Sequence, residues 1–254
     1  MQIVTCIHHN ILLFTPKKSQ ILKIFSCLII MELLKETIYS SFFTQPLMLL
    51  SAFVACVLGF VHRKKFPELK FMAFYPMASL FQGLFTYYSW ISENSTLSRA
   101  DIISESLFIF FEFIIIFSFF DKVIILKKFK LYIRIIFVLH IVFILLMWTF
   151  TEAFHKHVYK TYLADSLCIL SFCFLYFFQL FKLPPESNLL NSPSFWVTLG
   201  CLFYFSCTIP LFFADSILIA LPHYYTLYSI NFLAYTVLFL SISKAFLCNP
   251  VLRK

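Results

Sequence analysis

FIFFEFIIIFSFF, residues 108–120, sets a single acid, Glu112, in a run otherwise apolar apart from Ser118. A hydrocarbon core of about 30 Å is crossed by about 20 such residues in a helix. The stretch therefore reads as most of a membrane span, 103–120. Six more segments of similar character flank it, at 43–61, 71–91, 129–151, 162–182, 195–214 and 225–247. The expected fold is an all-α integral membrane protein, a bundle of seven transmembrane helices over 43–254. The links between spans are short, which makes successive helices antiparallel neighbours.

Composition supports this fold and excludes others. Hydrophobic residues are 61% of the 254 and charged residues 13%, with a mean hydropathy of +0.89. A soluble domain is roughly half apolar and a quarter charged. With 36 Phe and 3 Gly, aromatic and branched side chains are expected to fill most helix interfaces. A net charge of +8 would suggest nucleic acid in a soluble chain. Here the basic residues sit between apolar blocks, where they set membrane orientation, so no nucleic-acid role is expected and the partner is the lipid bilayer. Eight cysteines without a CxxC pair read as small packing residues.

Lysine and arginine in alternate links give the orientation. Twelve lie on one side, in 63–70, 122–130, Lys182, Lys244, Arg253 and Lys254, against three on the other, Arg99, Lys156 and Lys160. The C-terminus is thus expected in the cytoplasm and the start of the first span outside, in the inner membrane. The tail 1–42 opposes this pattern, since Lys17, Lys18, Lys23 and Lys35 would lie outside. ILKIFSCLIIMELL (21–34) reads as a weak eighth helix, a signal-like segment without a clear cleavage site, or a stretch upstream of a true start at Met31, the last being preferred.

Within the spans, ionisable residues are the functional candidates, because charge at mid-bilayer costs a few kcal/mol. Counting from the 121–128 link, Glu112 and His140 fall about 14 to 18 Å from the same boundary, and Gln82, in the middle of the second span, falls near that level. On the second span Tyr75, Ser79, Gln82, Thr86 and Ser89 form one polar face. Glu105 lies two turns before Glu112. The candidate site is an intramembrane polar cluster of Gln82, Glu112 and His140 that binds a small ligand or handles protons. Polar glue between helices is the structural alternative.

Other features are weaker. His155 and His157 with Glu152, Asp215 and His223 suggest a metal site, but the solvated-loop explanation is preferred. Asn94-Ser95-Thr96 is a glycosylation sequon. Trp90, Tyr87, Tyr88, Trp148, Tyr224 and Tyr225 read as interfacial anchors. No HExxH, GxSxG or glycine-rich phosphate loop occurs, so neither an enzyme nor a cofactor is expected. Lys244 lies too near a span end for a buried Schiff base, the signatures of G-protein-coupled receptors are missing, and no internal repeat suggests duplicated halves.

The last two spans, FWVTLGCLFYFSCTIPLFF (195–213) and INFLAYTVLFLSISKAFLC (230–248), carry Trp196, Gly200, Tyr204, Ser206, Asn231 and Phe246-Leu247-Cys248. In these residues the chain resembles small bacterial seven-helix membrane proteins, similar to the membrane sensory part of certain sensor histidine kinases. The position of Cys207 is more often glycine in that group. The resemblance implies a sensory or accessory signalling module. Only seven residues follow the last span, so any kinase is expected to be a separate cytoplasmic partner. The alternative expectation is a small-solute or proton-coupled transporter with Glu112 and His140 carrying the coupling ion.

Overall fold

The computed structural model describes residues 41–92, 95–150, 154–182, 189–218 and 224–248. Residues 1–40, with all three expectations for them, lie outside these. The described residues form seven α-helices: α1 (Ser41–His62), α2 (Phe74–Ser92), α3 (Ser95–Val123), α4 (Lys127–Phe150), α5 (Phe154–Lys182), α6 (Pro193–Leu218) and α7 (Tyr224–Leu247). Short 3-10 turns at Pro67–Leu69 and Leu189–Asn191 complete the links before α2 and α6.

Six of the seven helices are long and apolar enough to cross a membrane, over Thr44–His62, Ala100–Val123, Lys127–Met147, Lys160–Lys182, Pro193–Phe213 and Ser229–Leu247. The chain is therefore a multi-pass helical membrane protein. The exception is α2, one of the seven expected spans. Its 19 residues include Ser79, Gln82, Thr86, Ser89 and Ser92, and these lower its hydropathy. It nonetheless runs antiparallel beside α3, as contacts at both of its ends show (below).

Helix neighbours define a ring, α1–α2–α3–α5–α6–α7 and back to α1, with α4 outside it against α3 and α5. Successive helices are neighbours throughout, as the short links imply, and α3 in addition reaches past α4 to α5. The peripheral place of α4 is written in its side chains, of which Leu131, Tyr132, Ile135, Val138, Leu139, Val142, Leu145 and Leu146 are all exposed. Only its other face is covered.

Phenylalanine fills the interior as composition suggested. Phe113, Phe119, Phe120, Phe172, Phe205 and Phe239 have no accessible surface, and Phe117 stacks on Phe137 across α3 and α4 at 3.9 Å. The rare glycines serve close approach. A Cβ at Gly200 would stand 2.7 Å from Ser241 Cβ, bringing α6 against α7, and one at Gly59 would stand 3.1 Å from the Ala73 Cα.

One end of the bundle, here the basic end, gathers the α1–α2, α3–α4 and α5–α6 links. There Lys122 donates to the Pro67 carbonyl at 3.3 Å, and Trp196 Nε1 donates to the Leu190 carbonyl at 2.7 Å, tying α6 to the turn before it. Arg134 holds Asp121 with two hydrogen bonds of 2.8 and 3.2 Å. The α3–α4 turn is fastened by Gln179 of α5. Its Oε1 accepts from the amides of Ile125 (2.7 Å) and Leu126 (3.1 Å), and its Nε2 donates to the Val123 carbonyl (3.3 Å). A pocket of about 290 Å³ opens at this end among Pro67, Glu68, Lys122, Val123 and Ser194.

Candidate intramembrane polar site

On α3, Asp101, Glu105 and Glu112 are spaced by four and seven residues, which keeps them on one helical stripe. The stripe runs from the end opposite the basic one to mid-depth, about 16 Å over eleven residues. At its outer limit Asp101 accepts from Thr86 Oγ1 at 2.8 Å and from Gln82 Nε2 at 3.4 Å. Ser104 donates to Gln82 Oε1, so Gln82 is committed on both sides. Glu105 stands next, within the electrostatic range of Asp101.

Glu112 closes the stripe in full burial. Its Oε1 accepts a 2.6 Å hydrogen bond from Tyr75 of α2, while Oε2 has no partner. Across the bundle His140 of α4 and Asp165 of α5 form a second pair, Nε2 to Oδ1 at 3.3 Å, with both side chains at most 1% exposed. The distance is that of an ion pair, but the alignment is not that of a hydrogen bond, and Asp165 Oδ2 has no partner either. His140 Nδ1 faces the Cys168 thiol at 3.8 Å. The carboxyls of Glu112 and Asp165 lie within electrostatic range of each other.

Tyrosines enclose this pair. Tyr75 (α2), Tyr162 (α5), Tyr204 (α6) and Tyr235 (α7) are all buried, with the Tyr204 and Tyr235 rings 4.1 Å apart. Ser166 Oγ, Tyr204 OH and Asn231 Oδ1 add three more buried polar atoms without a hydrogen bond. By contrast, isolated hydroxyls elsewhere are satisfied by their own helices, as Ser118 is by the Ile114 carbonyl at 2.7 Å and Ser243 by that of Phe239 at 2.8 Å. Unpaired polar atoms are thus concentrated where the acids are.

The three residues expected to cluster are divided between levels. Glu112 and His140 share a depth, because the neighbouring Phe113 packs its ring 4.1 Å from the imidazole. Their carboxyl and imidazole partners differ, Tyr75 for one and Asp165 for the other. Gln82 does not belong with them. It meets Ser104, eight residues and about 12 Å up α3 from Glu112. Its expected depth is too great because α2 begins only at Phe74, and Tyr75, not Gln82, is level with Glu112. Sequence reasoning missed Asp165, the acid in LADSLCIL (163–170) near the start of the expected span 162–182. It also missed Tyr75 as a ligand of the acid, having placed it on the polar face of α2 without a partner. The side chains of the suggested metal ligands Glu152, His155, His157, Asp215 and His223, and of the sequon, lie outside the described residues. Among the described residues no group of three or more His, Cys, Asp or Glu is arranged to hold a metal.

Electrostatically the site is deficient in positive charge. Among the described residues no lysine or arginine pairs with Asp101, Glu105, Glu112 or Asp165, and His140 is the one basic partner. Such an arrangement can be neutralised by protons or by a small cation, since unpaired carboxylates in a low-dielectric interior are costly. Toward the basic end the polar stripe stops. Phe113, Ile116, Phe119, Phe120 and Phe172 close the interior, and the buried Gln179 there is committed to the α3–α4 turn.

Fold and site together define a multi-pass helical membrane protein with a mid-depth acidic site open in its polar lining toward one end. No known family model matches the chain, and no characterised protein or solved structure is detectably similar to it.

Proposed function

We propose that the protein is a sensory module of a bacterial inner membrane, with seven spans and the basic end in the cytoplasm, that registers protonation of the Glu112–Asp165–His140 site. It passes the change to a separate cytoplasmic partner, for which a sensor histidine kinase is the expected class. The observation that carries this reading is the one-sided lining. Acids lead inward from the outer end to Glu112, and a phenylalanine seal lies between that site and the basic end. A site that samples one side and is sealed from the other suits detection, whereas transport requires a second exit. Signalling then needs two helix arrangements whose balance protonation shifts.

The test is cross-linked capture of partners from native membranes at two external pH values, with the wild type beside Glu112→Gln and Asp165→Asn. Capture of a kinase or response regulator that varies with pH in the wild type, and no longer does in the variants, supports sensing. A proton-coupled transporter is the second reading, favoured by the several carboxyl oxygens left without partners. Proton-dependent flux in proteoliposomes, lost in Glu112→Gln, would replace the sensory reading with that one.

A further inference from the structure

At the basic end the turn Pro67–Leu69 touches both α3 and α6. Phe66 and Leu69 anchor it in the core, which leaves Pro67 and Glu68 on its open side. These two residues, with Lys122 and Val123 at the end of α3 and Ser194 at the start of α6, line the cavity of about 290 Å³. Val123 is the last residue of one apolar span and Pro193 the first of another, so the cavity lies where hydrocarbon gives way to lipid headgroups. Trp196, a residue type typical of that level, stands two residues further along α6.

The lining joins donors for an anion to a single acid. Pro193 opens α6 and has no N–H, but the amides of Ser194, Phe195 and Trp196 have no acceptor within the helix, and helix starts of this kind bind phosphate. Ser194 is more than nine-tenths buried. Among the described residues its hydroxyl has no hydrogen-bond partner, and only its carbonyl is engaged, by Thr198 Oγ1 at 2.8 Å. Lys122 is held at the rim, donating to the Pro67 carbonyl at 3.3 Å and lying over the Phe71 ring at 4.4 Å. Among the described residues no carboxylate pairs with Lys122 and no cation pairs with Glu68.

We propose that this cavity binds the headgroup of a zwitterionic phospholipid with a primary amine, of the phosphoethanolamine type. The phosphate sits between Lys122 and the first turn of α6, where Ser194 Oγ donates to it, and Glu68 receives the ammonium. A purely anionic headgroup would meet the uncompensated Glu68 carboxylate, and a choline group has no N–H to donate to it. Roughly eight non-hydrogen atoms at about 30 Å³ each, a water's share of the liquid, need ~240 Å³, which the cavity supplies. The exposed ring of Phe71 gives the acyl chains an apolar surface beside the headgroup. The site lies beyond the phenylalanine seal from Glu112 and does not rest on the protonation reading.

The experiment is native mass spectrometry of the full chain released from detergent micelles that hold matched amounts of short-chain phosphatidylethanolamine, phosphatidylcholine or phosphatidylglycerol. Free O-phosphoethanolamine is the fourth probe. Phosphatidylethanolamine should be retained best. Lys122→Ala and Glu68→Gln should each weaken its binding about tenfold, as loss of a hydrogen bond to a charged group does, and Glu68→Gln should also bring phosphatidylglycerol level with it. Retention of phosphatidylcholine or phosphatidylglycerol by the wild type at least equal to that of phosphatidylethanolamine overturns the assignment, as does unchanged retention in both variants. Free O-phosphoethanolamine bound as tightly as the lipid overturns the lipid source and leaves a site for a soluble phosphoester. If Lys122→Ala does not fold, Glu68→Gln, on the half-buried turn, carries the test.

Discussion

Glu112 keeps one carboxyl oxygen bonded to Tyr75 and the other bare, which predicts an unequal response to two conservative changes. Glu112→Gln removes the ionisable group while keeping its shape, and should leave thermal stability in detergent unchanged or higher, as neutralising buried charge often does. Tyr75→Phe strips the acid of its donor and should cost about 1–3 kcal/mol. A more stable Tyr75→Phe protein would show that the 2.6 Å bond does not hold α2 to α3. Glu112 and His140 were legible in the sequence because each interrupts a long apolar run near its middle. Asp165 was not, since it stands three residues inside the predicted span 162–182 and resembles an ordinary boundary acid. The interior tyrosines were hidden for a different reason. Periodicity separates apolar from polar faces, and a tyrosine counts as apolar whether its hydroxyl points to the interface or into the core.

Among the elements, the α3–α4 turn depends on a side chain from α5. Gln179→Leu removes the acceptor of two backbone amides, and a loss of about 1–3 kcal/mol is expected. Hydrogen exchange at Ile125 and Leu126 should accelerate specifically; unchanged protection there would mean that the turn holds itself. The α6–α7 contact makes a paired prediction. Gly200→Ala places a methyl 2.7 Å from Ser241 Cβ and should destabilise by about 1–3 kcal/mol. Adding Ser241→Gly should recover most of the loss, a coupling that a double-mutant cycle measures directly. All seven helices of the described residues were legible in the sequence, although α3 and α5 each begin about two turns before the expected spans 103–120 and 162–182. That α3 would pack on α5 was not, because hydropathy marks a helix as membrane-embedded without saying which neighbour covers it. The polar face of α2 was correctly directed inward, yet its depth scale was misjudged, and that alone moved Gln82 to the wrong level.

At the scale of the molecule, orientation and the crossing of α2 can be checked with one set of positions near the ends of the spans. Single cysteines at Lys64, Ser92 and Lys160 should divide on treatment of intact cells with a membrane-impermeant maleimide. Ser92→Cys and Lys160→Cys should react, and Lys64→Cys only after lysis. Reaction of Lys64→Cys and Ser92→Cys under the same condition would mean that α2 returns to the side it started from. The pairing of the acids also bears on how the chain is made. Tyr75 precedes Glu112, Thr86 and Gln82 precede Asp101, and His140 precedes Asp165. During synthesis from the N-terminus, each of these three acids therefore enters the bilayer after the group that receives it. The order of translation itself spares the nascent helices a stage in which one of these acids waits in lipid for a partner still to be made.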